Sequence, residues 1–517
     1  MTATRSDSFA ARTLLPLKLS NEVIKKGGVE GSWTCYRYAI LSGRDIWISF
    51  LILAVSCIGL SFYEHQLRYT VGDGLFYGFY FQQWHSDEMQ QTVNVSVLRE
   101  KGVLSFWYLH VQPPIYDFIR YVLSFGGPGR SNIAARTTLD GRIYLLYCFV
   151  YGAFNQLIYL GSRALGFRPQ VAILFAILWA IYPGNLAIAT LLDSTYLSAF
   201  LFAWVIFTLY LYLREPSLSR LAFFLIIFLV ASWTRTIFQV HFFALLLVVV
   251  GLVIFVFHGQ NSKKASIVAL PLATAFFVLP LKQQHLYGTL ATTTFAGQHA
   301  VEGIWYKPSI DEISSIDVPK RYLENAQQLQ NKYNSVEQVV INYRYEKIFY
   351  KVLMARPALV LDGIQKSLLQ GTRHLWIPTQ DYVPNKLIQS LPWVRLSRLA
   401  SNGLSYFSIA LLGLVGYLVA IYHGFCDFRL RYMIIFGFIG LAFATIIIGS
   451  NRYEWTEAER LKFLIEAPFL LFCLHGIYLL FATSRTIKSI MIKQVKESNQ
   501  ALTANSGAPS DQNAFAR

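Results

Sequence analysis

The chain alternates long apolar runs with short polar connections, and this alternation dominates the sequence. A helix needs about 20 apolar residues to cross the hydrocarbon core of a bilayer. Pro183-Gly184 falls inside the third run and is expected to break or kink it. The pattern predicts an all-α polytopic membrane protein. Ten spans are predicted, near 45–63, 143–162, 170–190, 196–213, 220–234, 237–257, 265–281, 403–422, 432–449 and 463–482.

Two polar stretches are too long to be simple turns between spans. The stretch 64–142 contains the short amphipathic segments 75–84 and 115–125, which are predicted to lie in the membrane interface. The stretch 283–402 contains residues 322–354, whose Gln, Asn, Glu and Lys content predicts a surface helix. The resulting division is a tail, a membrane module, an outer region, a second group of membrane helices and a final tail, at 1–44, 45–282, 283–402, 403–483 and 484–517.

The charge balance supports a membrane location and indicates an orientation. Charged residues make up 14% of 517 positions and hydrophobic residues 54%, whereas a soluble protein carries roughly a quarter charged residues. Much of the net charge of +16 falls in alternate short connections. Cytoplasmic loops collect Lys and Arg, so these connections and both termini are predicted to be cytoplasmic and both long stretches to be outer. This accounts for the basic balance without a nucleic-acid partner. The basic connections contain Arg163, Arg168, Arg214, Arg220, Lys263, Lys264, Arg429 and Arg431.

Asp73 is the first candidate for chemistry. It lies in Gly72-Asp73-Gly74, about ten residues beyond the first predicted span. Flanking glycines let the backbone turn sharply and approach a ligand, and a carboxylate in a cleft can remove the proton of an acceptor hydroxyl. The alternatives are a turn residue, or an acid paired with a nearby arginine.

Further polar residues are predicted at the outer ends of the spans. Arg235 and Arg460 are placed where an arginine can clamp a phosphate with two hydrogen bonds. The alternative for each is snorkelling to the interface or pairing with an acid such as Glu459. His110 either hydrogen-bonds a substrate or faces the headgroups, and Asp193 precedes the fourth span. All of these positions are predicted on one face of the membrane.

Several motifs that would indicate a cofactor or a metal are missing from the sequence. It contains no P-loop, no Gly-rich dinucleotide motif and no metalloprotease helix. The five cysteines lack metal-type spacing and avoid the two outer stretches, so neither a zinc site nor a disulfide framework is predicted.

Three segments together resemble the GT-C glycosyltransferases, in particular the protein O-mannosyltransferase and aminoarabinose-transferase branch. The first is Gly72-Asp73-Gly74 with the aromatic Tyr77, and the second is Pro113-Pro114-Ile115-Tyr116 before the second span. The third is 457–468 (EAERLKFLIEAP), which resembles the signature of the last helix in that family.

The resemblance implies a bundle of about ten transmembrane helices around a cavity, with interfacial helices in the first outer stretch. It implies a sugar donor carried on a polyprenyl phosphate, with Asp73 as catalytic base and Arg460 near the lipid phosphate. The sequence departs from the family in two places. His110 is separated from Pro113-Pro114 by two residues, and Gly74 stands where some relatives carry a second acid. A divalent metal is therefore not expected.

The expected reaction is an inverting sugar transfer to an acceptor hydroxyl on a glycan, lipid or protein. Weaker substrate contacts are expected from Tyr77, His110, Asp193 and Glu459. The absence of outer cysteines favours a bacterial inner membrane with a periplasmic active site. Two alternatives stay open: an envelope polysaccharide polymerase or ligase that depends on Arg373 and His374, and a transporter or lipid flippase. Two related halves with interrupted helices would favour a transporter, and the sequence shows no such repeat.

Overall fold

The computed structural model describes residues 42–71, 85–87, 91–126, 133–235, 251, 262–371, 406–422, 429–450 and 455–506. Every regular element in this part of the chain is a helix. In chain order the helices are α1 (Gly43–Val71), α2 (Val95–Lys101), α3 (Val103–Tyr108), α4 (Ile115–Leu123), α5 (Ile133–Ala164), α6 (Pro169–Ala180), α7 (Pro183–Leu191), α8 (Ser194–Arg214), α9 (Leu218–Ser232), α10 (Ser262–Tyr287), α11 (Ala296–Gly303), α12 (Ile310–Ser314), α13 (Lys320–Gln327), α14 (Val336–Ala355), α15 (Pro357–Gly371), α16 (Tyr406–Tyr422), α17 (Arg429–Ser450) and α18 (Trp455–Ser506).

Among the described residues, six helices are long and apolar enough to cross a membrane, and they confirm a polytopic membrane protein. Each coincides with a predicted span to within a few residues. The predicted spans 220–234 and 403–422 correspond to the shorter apolar helices α9 and α16, and 237–257 lies largely outside the described residues. The count of ten therefore stays a prediction. The six spans are Gly43–Tyr63, Thr138–Ala164, Ser194–Arg214, Lys263–Tyr287, Arg431–Ile448 and Leu461–Arg485.

The third predicted span is broken, as its Pro-Gly pair predicts. α6 and α7 meet at an angle of 55°. Tyr182 takes an extended conformation (φ −61°, ψ 125°) and Pro183 is the first residue of α7. A residue before proline is driven out of the helical region, whereas proline itself is well suited to a first helical turn. The break is therefore a local consequence of the sequence.

The membrane helices pack through aromatic stacks and small residues. Trp179 of α6 stacks on Phe463 of α18 with ring centroids 5.6 Å apart. α16 approaches α18 at Gly416, where a Cβ atom would collide with the carbonyl of Gly476. Small residues permit such close approach between helices in a bilayer.

A helix is present at the predicted segment 115–125 as α4, and its interfacial location stays a prediction. Its amphipathic character is reversed relative to a soluble surface helix. Asp117 and Arg120 are fully buried, while Phe118, Val122 and Phe125 are about half exposed. An exposed apolar face of this kind suits a helix that lies on lipid. The other predicted interfacial segment, 75–84, lies outside the described residues.

The described part of the second outer stretch, 283–371, is mostly helical and packs on the membrane bundle. Residues 322–354, predicted as surface helix, are divided between α13 and α14, with an irregular turn at 328–335. The turn is stabilised by side chains: Ser335 caps α14 by accepting from the amide of Gln338. Asn334 turns away toward the first outer stretch. An N-cap of this type fixes where a helix begins, which composition alone does not reveal.

Candidate functional site

The predicted residues Asp193 and Arg235 come together at the start of α8. Asp193 is the N-cap of α8, and its carboxylate accepts from the amide (2.9 Å) and hydroxyl (2.7 Å) of Thr195. Nη1 of Arg235 donates to Ser194 Oγ and Thr195 Oγ1, both at 2.8 Å. The same nitrogen lies 4.0 Å from Asp193 Oδ2. Arg235 follows α9 by three residues, so a buried guanidinium from one helix end lies against the N-terminus of another.

Two tyrosines hold the backbone on which Asp193 sits. Leu192, which joins α7 to α8, has a left-handed conformation (φ +54°). Such a conformation costs on the order of 1–3 kcal/mol in a residue with a side chain and persists where surrounding contacts enforce it. Here the Leu192 carbonyl accepts from the hydroxyl of Tyr116, and the Asp193 carbonyl accepts from the hydroxyl of Tyr147. Helices α4 and α5 thus both fix the α7–α8 junction.

The Pro-Pro-Ile-Tyr segment is part of this same assembly. The Ile115 amide, at the start of α4, donates to the Trp233 carbonyl at the end of α9 over 3.0 Å. Tyr116, the next residue, reaches the α7–α8 junction. The first amides of a helix have no partner inside it, so the Ile115 amide is available for a contact outside α4. Helix α4 therefore anchors the two helix ends that carry Asp193 and Arg235.

Arg120 ties the chain that follows the Asp73 segment to α4. Its guanidinium donates to the carbonyls of His85 (3.1 and 2.5 Å), Asp87 (2.7 Å) and Val93 (2.8 Å) and to Asp117 Oδ1 (2.5 Å). Both side chains of the Arg120–Asp117 pair are completely buried. Burial, with the charge of Arg120 beside it, lowers the pKa of His85 to about 3, so this histidine is neutral at physiological pH.

Four predicted site residues cannot be compared with the structure. Asp73 and Tyr77 lie outside the described residues, and Asp73 follows the end of α1 by two positions in sequence. Glu459 and Arg460 fall in the first turns of α18, where the placement of side chains is outside the described part. Their proposed roles stay predictions from the sequence.

His110 lies where the first outer stretch contacts α10 and the second outer stretch. Its amide and that of Val111 donate to Asn334 Oδ1, at 3.0 and 3.2 Å, and its ring packs edge-on against Tyr287, 4.8 Å between centroids. Burial, and then the charge of Lys282, lowers the pKa of His110 to about 3. The described residues around the ring leave a cavity of about 10 Å³, which is near the minimum for one water molecule. The space seen beside His110 is far smaller than a sugar ring.

Sequence reasoning assigned no role to Lys282 or Tyr147, and it quoted Glu466 only within the segment 457–468. Lys282 is buried, and its Nζ donates to the Leu109 carbonyl at 2.7 Å, which fastens α10 to the first outer stretch. Glu466, inside the last span, is buried and accepts from the hydroxyl of Tyr182 at the α6–α7 break over 3.0 Å. A single acid within an apolar run is costly and was a usable signal for Glu466. No comparable signal marked Tyr147, since the chain has 31 tyrosines.

Comparisons of the chain with protein-family models, with curated proteins and with solved structures found no match. Among the described residues, no three or more His, Cys, Asp and Glu side chains gather in a way that could hold a metal ion.

Proposed function

We propose that this protein is an integral membrane glycosyltransferase that moves a sugar from a polyprenyl phosphate to an acceptor hydroxyl. The acceptor belongs to a glycan, a lipid or a protein, and the reaction takes place on the outer, periplasmic face of a bacterial inner membrane. The observation that carries the proposal is the buried Arg235, held by two hydroxyls at the N-terminus of α8 and joined to an interfacial helix.

The electrostatics of this position suit a phosphate leaving group. A helix N-terminus carries a partial positive charge and attracts anions. An arginine fixed there adds a full charge, while Asp193 orients it and offsets part of that charge. Charges that are already in place stabilise the charge that develops in a transition state most effectively. The surroundings of Arg235 thus favour a lipid-borne phosphate at the membrane boundary.

The proposed chemistry has two parts that act on opposite sides of the sugar. Asp73 takes the proton of the acceptor hydroxyl, and the resulting oxygen attacks the anomeric carbon. The bond between that carbon and the phosphate oxygen breaks, and polyprenyl phosphate leaves with the bonding electrons. Arg235 and Arg460 stabilise its negative charge. A single displacement inverts the anomeric configuration.

The first test replaces the base. In membranes that contain Asp73→Asn, we expect loss of the glycosylated product and accumulation of the lipid-linked sugar donor, measured by chromatography and mass spectrometry of lipid extracts. Asp317→Asn, at an exposed position of the outer region, is the matched control and should behave as wild type. Unchanged product in the Asp73 variant would refute the proposal, and an altered export of donor without loss of transfer would instead favour a transporter.

The second test removes the charge of Arg235. Arg235→Gln should lower kcat/KM for the lipid-linked donor by about 10²–10³-fold, the usual effect of losing one group that stabilises the transition state. Arg235→Lys keeps the charge but loses the planar fork, so an intermediate rate is expected. Arg220→Gln serves as the control, because Arg220 lies near the opposite end of α9 and forms an exposed ion pair with Glu215. Equal rates for the Arg235 and Arg220 variants would exclude Arg235 from the site.

A further inference from the structure

Helix α15 and the last turn of α14 expose large apolar side chains outside the membrane spans. Met354 is 85% exposed, Leu361 68% and Leu369 59%. The other side of α15 is packed: Val360 is buried, and a Cβ atom on Gly363 would collide with the carbonyl of Ile304. One side of the helix therefore lies against the protein, and the side that carries Leu361 and Leu369 is largely exposed.

The position of α15 relative to the bundle indicates what covers this side. Leu368 packs against the large apolar core of the membrane bundle, and Leu369 is the next residue along the helix. In α11, which packs with α15, Gly303 lies directly against the Ile448 carbonyl, at the end of the span Arg431–Ile448. Helix α15 therefore lies beside the end of a membrane span, where the bilayer surface is expected.

The charges around this apolar surface fit lipid headgroups. Lys351 and Arg356 are exposed beside Met354. Lys366 lies on the flank of α15, where it pairs with Asp362 over 2.6 Å. Apolar side chains bordered by basic ones are typical of a helix lying in the interface of an anionic membrane. Because α15 packs on α17 beside the end of the span Arg431–Ile448, the bilayer is the partner nearest to this surface.

We propose that α15 and the last turn of α14 form a second membrane-docked surface, with Met354, Leu361 and Leu369 in the acyl boundary and the basic residues at anionic headgroups. This surface is separate from α4, and the inference does not depend on the reaction proposed above. This docking would hold the outer region on the bilayer at its α15 side.

Depth-dependent quenching in nanodiscs tests this assignment. Leu361→Cys and Leu369→Cys are labelled with a polarity-sensitive fluorophore, and the full-length protein is placed in discs with or without lipids brominated on the acyl chain. Quenching by the brominated lipid at both positions should be at least half of that at Leu145→Cys, a 68% exposed position within a span. Glu324→Cys, on the exposed side of α13, should show little quenching. Signal from the native cysteines is subtracted with labelled wild type.

Two results would overturn the proposal. Quenching at positions 361 and 369 no greater than at Glu324→Cys would mean that the surface faces water. Emission that depends on the number of protein copies per disc, and not on lipid bromination, would assign the surface to a second copy of the chain. Both substitutions are at exposed positions and are expected to leave the fold intact. A monodisperse profile on size exclusion checks that the labelled proteins are folded.

Discussion

The buried Arg120–Asp117 pair gives the most direct prediction about stability. Arg120 makes five hydrogen bonds, of which three reach the backbone at His85 and Asp87 and one reaches Val93. Arg120→Met removes the cation but leaves the Asp117 carboxylate and three carbonyls in a closed environment. An unpaired buried charge is far more costly than the loss of a surface contact.

The expected magnitude follows from complete burial of both partners. Removing one member of a buried pair typically costs about 3–5 kcal/mol. Because about 1.4 kcal/mol corresponds to a factor of ten, the opening equilibrium of this region should rise by about 10²–10³-fold or more. Replacing both residues, as Arg120→Met with Asp117→Leu, removes the orphaned charge and should recover a substantial part of the loss. The carbonyls that Arg120 satisfied limit this recovery.

The assay is equilibrium unfolding of the purified protein in mixed micelles, with limited proteolysis to report on the first outer stretch. Lys366→Met is the control, since it breaks an exposed pair one helical turn apart on α15 and should cost less than about 1 kcal/mol. The reasoning is wrong if Arg120→Met costs no more than the control. Strict additivity of the two substitutions in the double variant would also contradict it.

Two further predictions concern packing and pH. Gly416→Ala should destabilise the protein by about 1–3 kcal/mol, because α16 touches α18 there. Gly440→Ala, which has open space around it, should be neutral or stabilising in the same unfolding assay. Equal effects of the two substitutions would contradict the close approach of α16 and α18. Burial depresses the pKa of folded His110 to about 3, so the unfolded state binds the extra proton between about pH 6.5 and 3. Stability should therefore fall as the pH drops through this window, and His110→Gln should flatten the decline in melting temperature; parallel wild-type and variant curves would refute this.

The membrane helices could be predicted closely because their requirements are local. Each span must supply about 20 apolar residues and satisfy its own backbone, whatever its neighbours are. The break between α6 and α7 is equally local, since Pro183 acts on its own backbone and on that of Tyr182. The division of the outer region into α13 and α14 could not be predicted from composition. It depends on a cap at Ser335 and on Asn334 bonding to a distant part of the chain.

The candidate site was predictable in part. Asp193 and Arg235 could be placed on the same face of the membrane by counting loop charges, and in the structure Nη1 of Arg235 lies 4.0 Å from Oδ2 of Asp193. Their shared contact with the hydroxyl of Thr195 follows from how the ends of α8 and α9 meet. His110 could be predicted as a candidate from its residue type, but its burial depends on Tyr287 and on the outer region.

The sequence by itself determined the membrane class, most of the spans and the broken helix, and it supplied a short list of polar residues at helix ends that are predicted to be outer. These features depend on apolar length, proline geometry and charge bias, which act over a few residues or a single loop. Only the tertiary structure decided which polar residues meet. Tyr116 and Tyr147 reach the junction beside Asp193 from helices α4 and α5. Arg120 donates to backbone carbonyls up to 35 residues away in sequence. Such contacts depend on the packing of several elements at once, because hydrogen bonds between distant segments leave no periodic pattern in the sequence.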